Sequence, residues 1–336
     1  MPTHIRLAEG GGGAASANLI QQVFWTRFQN PELKKGNDAA VLDFPGGKLA
    51  FTTDSFVITP WNFPGGDIGK LAVCGTINDL TMMGGAPLGL AVSFIIEEGF
   101  PTASLELIAG SLADTARKAG APVVTGDTKV VNRGAADGIF ITTSGVGLIE
   151  AGVCLGGGQA KPGDRVIVTG SIGDHGAAIL LARGELGITG DLKSDVAPLN
   201  LLLLPLIRQY TGRIHVLRDP TRGGLAAALN EIARQSRLSI RLSENLIPIK
   251  PEVQGITTLL GIDPLYLANE GKAIIIAAAD CAGEIVAWLR RQDLGTEAAI
   301  IGEVLAGHPG IVSISNQMGG ERILTLGSGE QLPRIC

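Results

Sequence analysis

Aromatic side chains are scarce here, 4% of 336 residues, which excludes a fold resting on large ring anchors. Such a chain leans on tight turns and close backbone approach, and its 48 glycines supply both. Basic charge is not in excess either. A net charge of −5 leaves no electrostatic footprint for nucleic acid. No apolar run reaches bilayer-spanning length and the opening Met1 to Gly13 lacks a signal-peptide core, so no membrane partner is expected. The cysteines Cys74, Cys154, Cys281 and Cys336 are scattered without a CxxC pair. That spacing indicates neither a zinc site nor a disulfide framework, and it fits a reducing, cytoplasmic setting. Neither GxxxxGK[ST] nor a GxGxxG after a strand occurs, which removes the P-loop and Rossmann nucleotide sites.

What is present supports two α+β domains. Hydrophobic residues make up 45% and charged ones 18%, enough to build cores and against disorder. Residues 1–35 read as an arm with a glycine run, Gly10 to Gly13, and a helical pattern from Ala14 to Phe28. Residues 36–155 alternate strands (Ala39 to Leu42, Leu49 to Thr53, Gly89 to Ile96, Val123 to Thr125, Ile139 to Leu148) with helices (Ile68 to Met83, Thr102 to Ala119). The glycine-rich break at Gly156 to Asp164 opens a second set over 156–326. Its helices are expected at 176–186, 197–210, 224–235, 252–260 and 281–292, and its strands at 165–169, 239–242, 273–278 and 298–304. Residues 327–336 form a tail ending in Cys336, and Pro333 predicts that Arg334, Ile335 and Cys336 project as a short arm.

Acidic residues recur at strand ends or among small residues: Asp38, Asp54, Asp79 and Asp127. One Asp at a strand end is commonly a turn former. Four of them suit Mg²⁺, which takes a few carboxylates and completes its shell with phosphate oxygens and water. Lys129, two residues after Asp127, is placed to neutralise a transferring phosphoryl group. In the second half, Asp219 leads into a glycine-flanked helix start suited to phosphate. Glu270 lies between Asn269 and Gly271, where acid–base residues are often found.

The ordered set Thr52 to Ser55, Gly65 to Ala72, Asn78-Asp79, Glu97 to Gly99, Thr125 to Val131, Gly173 to Gly176, Asp219 with Thr221 to Gly224, Asn269 to Lys272 and Pro333-Arg334-Ile335-Cys336 resembles the HypE family of hydrogenase-maturation proteins, in the PurM-like superfamily of ATP-using proteins. The resemblance runs nearly end to end. It implies a two-domain α+β subunit, a homodimer that pairs the N-terminal sheets, a C-terminal α/β sandwich-like domain and a flexible tail. It further implies that a partner, HypF, carbamoylates Cys336. The protein then dehydrates the S-carboxamide to S-cyanide with ATP, and the cyano group passes to iron on the HypC–HypD complex. On this pattern Asp54, Asp79 and Asp127 are expected at Mg²⁺, with Asp38, Thr125, Gly126 and Asp219 also at the nucleotide. Lys129, Glu270 and His175 join Cys336 at the chemistry. The alternatives are another ATP enzyme of the superfamily, selenophosphate synthetase or thiamine-monophosphate kinase, and a non-catalytic thiol carrier. A selenophosphate synthetase carries a reactive Cys or Sec near its start, and none occurs here before Cys74.

Overall fold

From Ile139 to Ile149 every second residue is buried, the signature of a strand with one covered face. The computed structural model describes residues 13–25, 27, 30–184, 187, 190–327 and 334–336. Its first sheet uses β1 (Ala40–Phe44), β2 (Gly47–Phe56), β5 (Gly85–Glu97), β6 (Val123–Val131) and β7 (Ile139–Ile149), in the order β1-β2-β7-β5-β6. β3 (Asn62–Phe63) and β4 (Gly66–Asp67) form a separate small hairpin. Beside α1 (Ala14–Leu19), this half contains α2 (Ile68–Met82) and α3 (Thr102–Ala119). α3 buries Ile108, Leu112, Thr115, Ala116 and Ala119, the three-to-four spacing of a one-sided helix. α2 is different: Lys70 and Asp79 are its only residues that are not fully buried. It fills the space between the first sheet and the second domain, which is why it is buried on nearly every side.

The second sheet runs β14-β13-β10-β12-β8-β11-β9. Its strands are β8 (Arg165–Val168), β9 (Ile214–Arg218), β10 (Ser239–Ser243), β11 (Ile274–Ala277), β12 (Ala299–Leu305), β13 (Val312–Ser315) and β14 (Glu321–Ile323). Helices α5 (Asn200–Gln209) and α8 (Ala279–Leu289) cover one face, and α6 (Gly224–Ser236) the other. α4 (Asp174–Arg183) and α7 (Pro251–Leu260) pack together beside them.

Several expectations need correction. Asp54 and Asp127 lie inside β2 and β6, not at strand ends. β9, β13 and β14 were not foreseen. In β9 the apolar pattern is interrupted by His215, which is buried because Asp164 and Lys161 meet its two ring nitrogens at 2.7 and 3.0 Å. The helix expected over 14–28 is α-helical to Leu19 and then π-helical to Trp25. Gly10 to Gly12, Phe28 and Pro333 lie outside the described residues. The end of the chain does not project. Ile335 is 4% exposed inside the core of the first domain, because an apolar side chain gains more from that pocket than from water.

Candidate active site between the two domains

Asp67 starts α2 by accepting hydrogen bonds from the backbone N–H groups of Gly69 and Lys70. One turn from its end, Asn78 ties the domains together. Its side-chain N–H donates to the carbonyls of Ala197 (3.1 Å) and Glu270 (3.4 Å), and its Oδ1 accepts from the Leu199 N–H (2.8 Å). The neighbouring Asp79 is thereby set against the second domain. There, ligand oxygens of Asp38, Asp79 and Asp219 lie within 4.8 Å of one another.

Three carboxylates so close repel one another and are poorly hydrated. Burial, then Asp219, Asp54 and Asp38, push the Asp79 carboxyl well up from its usual range. Asp38 is raised by burial, against the pull of Arg218, and Asp219 is pushed up to about 6, burial again leading. Asp54 is raised by burial while Arg222 opposes. Oδ2 of Asp38 is buried without a hydrogen-bond partner. A hard divalent cation answers each of these features, so the residues fit Mg²⁺. Arg218 crosses from β9 to Asp38 (2.9 Å) and the Gly36 carbonyl (2.9 Å), and it pairs with Glu231 in its own domain. Its reach across the domain junction was not legible in the sequence.

Glu270 is 3% exposed, and its Oε1 is buried with no hydrogen-bond partner. Burial first, then Asp219, Asp195 and Asp54, raise its carboxyl well above the ordinary range. Its backbone is held by Asp195, whose Oδ1 accepts from the Glu270 N–H (3.1 Å) and Oδ2 from the Gly271 N–H (3.3 Å). A side chain at Gly271 would put its Cβ 1.9 Å from the Asp195 carbonyl, so glycine is required there. Asn269 accepts from the Gly173 N–H (2.8 Å) and donates to the Pro220 carbonyl (3.0 Å), which joins the start of the helix bearing His175 to the loop bearing Asp219. Asp195 sits in a stretch without a motif, and nothing in the sequence marked it.

The remaining candidates lie elsewhere in the chain. Strand register puts Asp54 in one row with Thr143, Val92 and Gly126, and Asp127 in the next row with Ser93, Thr142 and Ser55. Alternation places Thr125, Asp127 and Lys129 on the open face and Asp54 on the face covered by α2. Three strand steps, roughly 14 Å, also separate β2 from β6. Asp127 therefore does not join Asp54 and Asp79 as one ligand set within a single chain. It pairs with Lys129 at 2.6 Å, and both side chains are exposed. Gly126 has a structural duty, since a Cβ there would sit 2.4 Å from the Val92 carbonyl.

The carboxyl end comes back to this junction. The Val57 N–H donates to the main-chain oxygen of Cys336 (3.0 Å) and the Thr59 N–H to the Arg334 carbonyl (3.4 Å), so the tail runs antiparallel along residues 57–59. His175 meets the Ile335 carbonyl at 2.8 Å. The Gly176 N–H, one residue on, bonds the Ala268 carbonyl, two residues before Glu270. Cys336 is half-buried and packs on the core that holds Ile335, Cys74 and Ala268.

Two family models match: AIR synthase related protein, N-terminal domain, over residues 36–149, and its C-terminal domain over residues 161–315. A carbamoyl dehydratase HypE of Rhizobium leguminosarum bv. viciae is 49% identical over 332 residues, covering 99% of this chain and 95% of that protein. Among solved structures, HypE in complex with ATP aligns with a TM-score of 0.83 at 46% identity over 98% of both chains. A HypE–HypF complex aligns with a TM-score of 0.88 at 45% identity, over 92% of this chain and 99% of that one. No helix among the described residues is long and apolar enough to cross a membrane.

Proposed function

The chain belongs to the AIR synthase related family and, within it, to the HypE carbamoyl dehydratases, and from that premise we propose how its residues divide the work. The protein is an ATP-dependent dehydratase that converts the S-carboxamide on its own Cys336 to S-cyanide, the source of the cyanide ligand of nickel–iron hydrogenase. HypF is its carbamoyl-donating partner. We infer that the cyano group is handed to HypC–HypD, and that a reducing compartment such as the cytoplasm keeps the thiol free between cycles.

Dehydration must remove one oxygen and two N–H protons from the carboxamide. The oxygen is a poor leaving group until it takes a phosphoryl group from ATP and departs as phosphate. Asp38, Asp79 and Asp219, with Asp54 beside them, would hold Mg²⁺, which neutralises and orients phosphate oxygens when bound. One nitrogen proton is lost to solvent when the oxygen is phosphorylated, and Glu270 takes the other as phosphate departs. Its unpartnered Oε1 matches an amide N–H donor, and its raised carboxyl pKa gives it the basicity the step needs. The observation that carries this assignment is the seating of the thiol-bearing tail in the same interdomain junction as that carboxyl.

Lys129, Asp127 and Thr125 act, on this reading, across a homodimer. They share the open sheet face with exposed Phe51, Ile95 and Leu148, an apolar surface that a second copy would cover. Lys129 then steadies charge at the neighbouring subunit's nucleotide. Glu270→Gln tests the central assignment. After incubation with HypF, carbamoyl phosphate and ATP, mass spectrometry of its C-terminal peptide should show S-carboxamide accumulating, with S-cyanide formed ~10² to 10⁴-fold more slowly. Conversion at the unmodified rate would remove Glu270 from the chemistry.

A further inference from the structure

We propose that His175 is a positioning residue that latches the tail through the main chain, and that this seat is separate from the groups that do the chemistry. The proposal rests on the dehydratase reading, because the tail it holds is the substrate-bearing segment.

His175 is fully buried in the first turn of α4, and the polar partners at its two ring nitrogens are different in kind. Nε2 faces the Ile335 carbonyl at 2.8 Å, which can only accept, so Nε2 carries a proton. Nδ1 faces the Ser194 hydroxyl at 2.7 Å. That hydroxyl oxygen already accepts from the Val196 N–H (3.1 Å), which leaves its own proton free for Nδ1. The chain Val196 N–H to Ser194 to His175 to Ile335 thus fixes one tautomer of a neutral imidazole, and burial holds the ring neutral. The Phe63 ring packs edge-on against the imidazole, its centroid 5.5 Å away, and limits rotation. Neither nitrogen faces the Cys336 sulfur: the one lone pair, on Nδ1, is turned to Ser194, and the Nε2 proton is held on a main-chain carbonyl. That argues against His175 as a proton carrier and for a latch.

The other contacts of the seat are of the same kind. Val57 and Thr59 give backbone N–H groups to the main-chain oxygens of Cys336 and Arg334, and Arg183 gives a guanidinium N–H to the Arg334 carbonyl (2.9 Å). Ile335 fills the apolar socket between these bonds. The hydrogen bonds read main-chain carbonyls, which are identical whether Cys336 bears a thiol, a carboxamide or a cyanide. Val57 and Thr59 come from the first domain, His175 and Arg183 from the second. The seat therefore exists only while the domains are held together, and release of the tail would expose the half-buried sulfur further to HypF.

The test uses the full chain with His175→Phe, which keeps a ring but loses both nitrogens, and His175→Gln, whose amide N–H falls near Nε2. Backbone hydrogen exchange at Val57 and Thr59 reads tail seating without any turnover. His175→Phe should expose these amides about tenfold faster, the worth of one well-made buried hydrogen bond. S-carboxamide conversion should slow by a similar factor, and carbamoylation by HypF should be as fast or faster. His175→Gln should recover much of both losses, and amides of β8 should exchange as in the parent chain. Unchanged exchange at Val57 and Thr59 in His175→Phe would overturn the latch, whatever happens to conversion. Slow conversion with normal exchange would return His175 to the chemistry. Loss of protection in β8 as well would mean that His175 supports the fold rather than the tail. Failure of the parent chain to form S-cyanide would count against the dehydratase reading alone.

Discussion

β11 and β6 are both rich in β-branched residues and both belong to sheets of mixed topology. Ile274 to Ala277 are completely buried, whereas β6 is exposed from Val123 to Val130, on both of its faces. The difference lies in cover. Alternate residues of β11 enter two separate cores, one under α6 and one under α5 and α8. β6 is the edge strand of its sheet among the described residues, at the rim of the helix layer on one face and without helices on the other. A covered sheet has all its packing within one chain. An open one with this much apolar surface has part of its packing outside it. The functional residues split along the same line. The carboxylates of the covered junction meet one another, while Asp127 and Lys129, on the open face, pair with each other.

One charge placed in each sheet should affect the two very differently. Ile275→Asp puts a carboxylate where the side chain is 0% exposed, with no cation to receive it. A cost of about 4 kcal/mol or more is expected, enough to remove cooperative melting. Ile95→Asp lies on the open face at 41% exposure and should leave melting nearly unchanged. Light scattering should instead show monomers where the parent chain gives dimers. A parent chain that is already monomeric, or an Ile95→Asp variant that stays dimeric, would sink the pairing of sheets.

A smaller effect sharpens the same point at the level of single sites. If Lys129 serves the neighbouring subunit while Glu270 serves its own, two inactive variants should complement each other. Equal amounts of Lys129→Ala and Glu270→Gln, mixed and allowed to exchange subunits, leave one intact site in each hybrid dimer. Random pairing gives half hybrids, so S-cyanide formation should return to about a quarter of the parent rate. Each variant alone should stay slow. No recovery in demonstrably mixed dimers would put Lys129 to work within its own chain, or nowhere.

Periodicity made the covered parts of the fold legible, as in α3 and β7, because burial on one face writes itself into the spacing of apolar residues. It failed at β9, where His215 is buried by pairing with Asp164 and breaks the pattern. It also truncated β6, because an open face tolerates Asp127 and Lys129 in mid-strand. The acidic residues were readable as a class, but which of them meet was not. Asp219 reaches Asp79 only because Asn78 and Arg218 bind the domains together, and no local spacing encodes that contact. The tail's chemistry was plain from Cys336, while its docking depends on a socket assembled from both domains.

The smallest expected effect concerns the charge of the covered junction. Asp219 titrates near 3.8 in an unfolded chain and is pushed up to about 6 in the fold, where burial leads and Asp54 and Glu231 add to it against Arg218. Between those values the folded protein holds more protons than the unfolded one, so stability falls as pH rises through the window. Asn at 219 cannot titrate. The melting temperature of the parent chain relative to Asp219→Asn should therefore decline by a few degrees between pH 4 and pH 7, without metal. Added Mg²⁺ with an ATP analogue should reverse the decline at pH 7 and do little at pH 4, since protons and the cation compete for the same oxygens. Glu32 and Glu303 have depressed pKa values and lose their stabilising charge as pH falls, but they are common to both chains and cancel in the difference. A difference curve that rises with pH, or one that Mg²⁺ leaves unmoved, would take Asp219 out of the cation site. The covered junction would then be an ion-pair staple between domains, and the search for the nucleotide's metal would move to the open face.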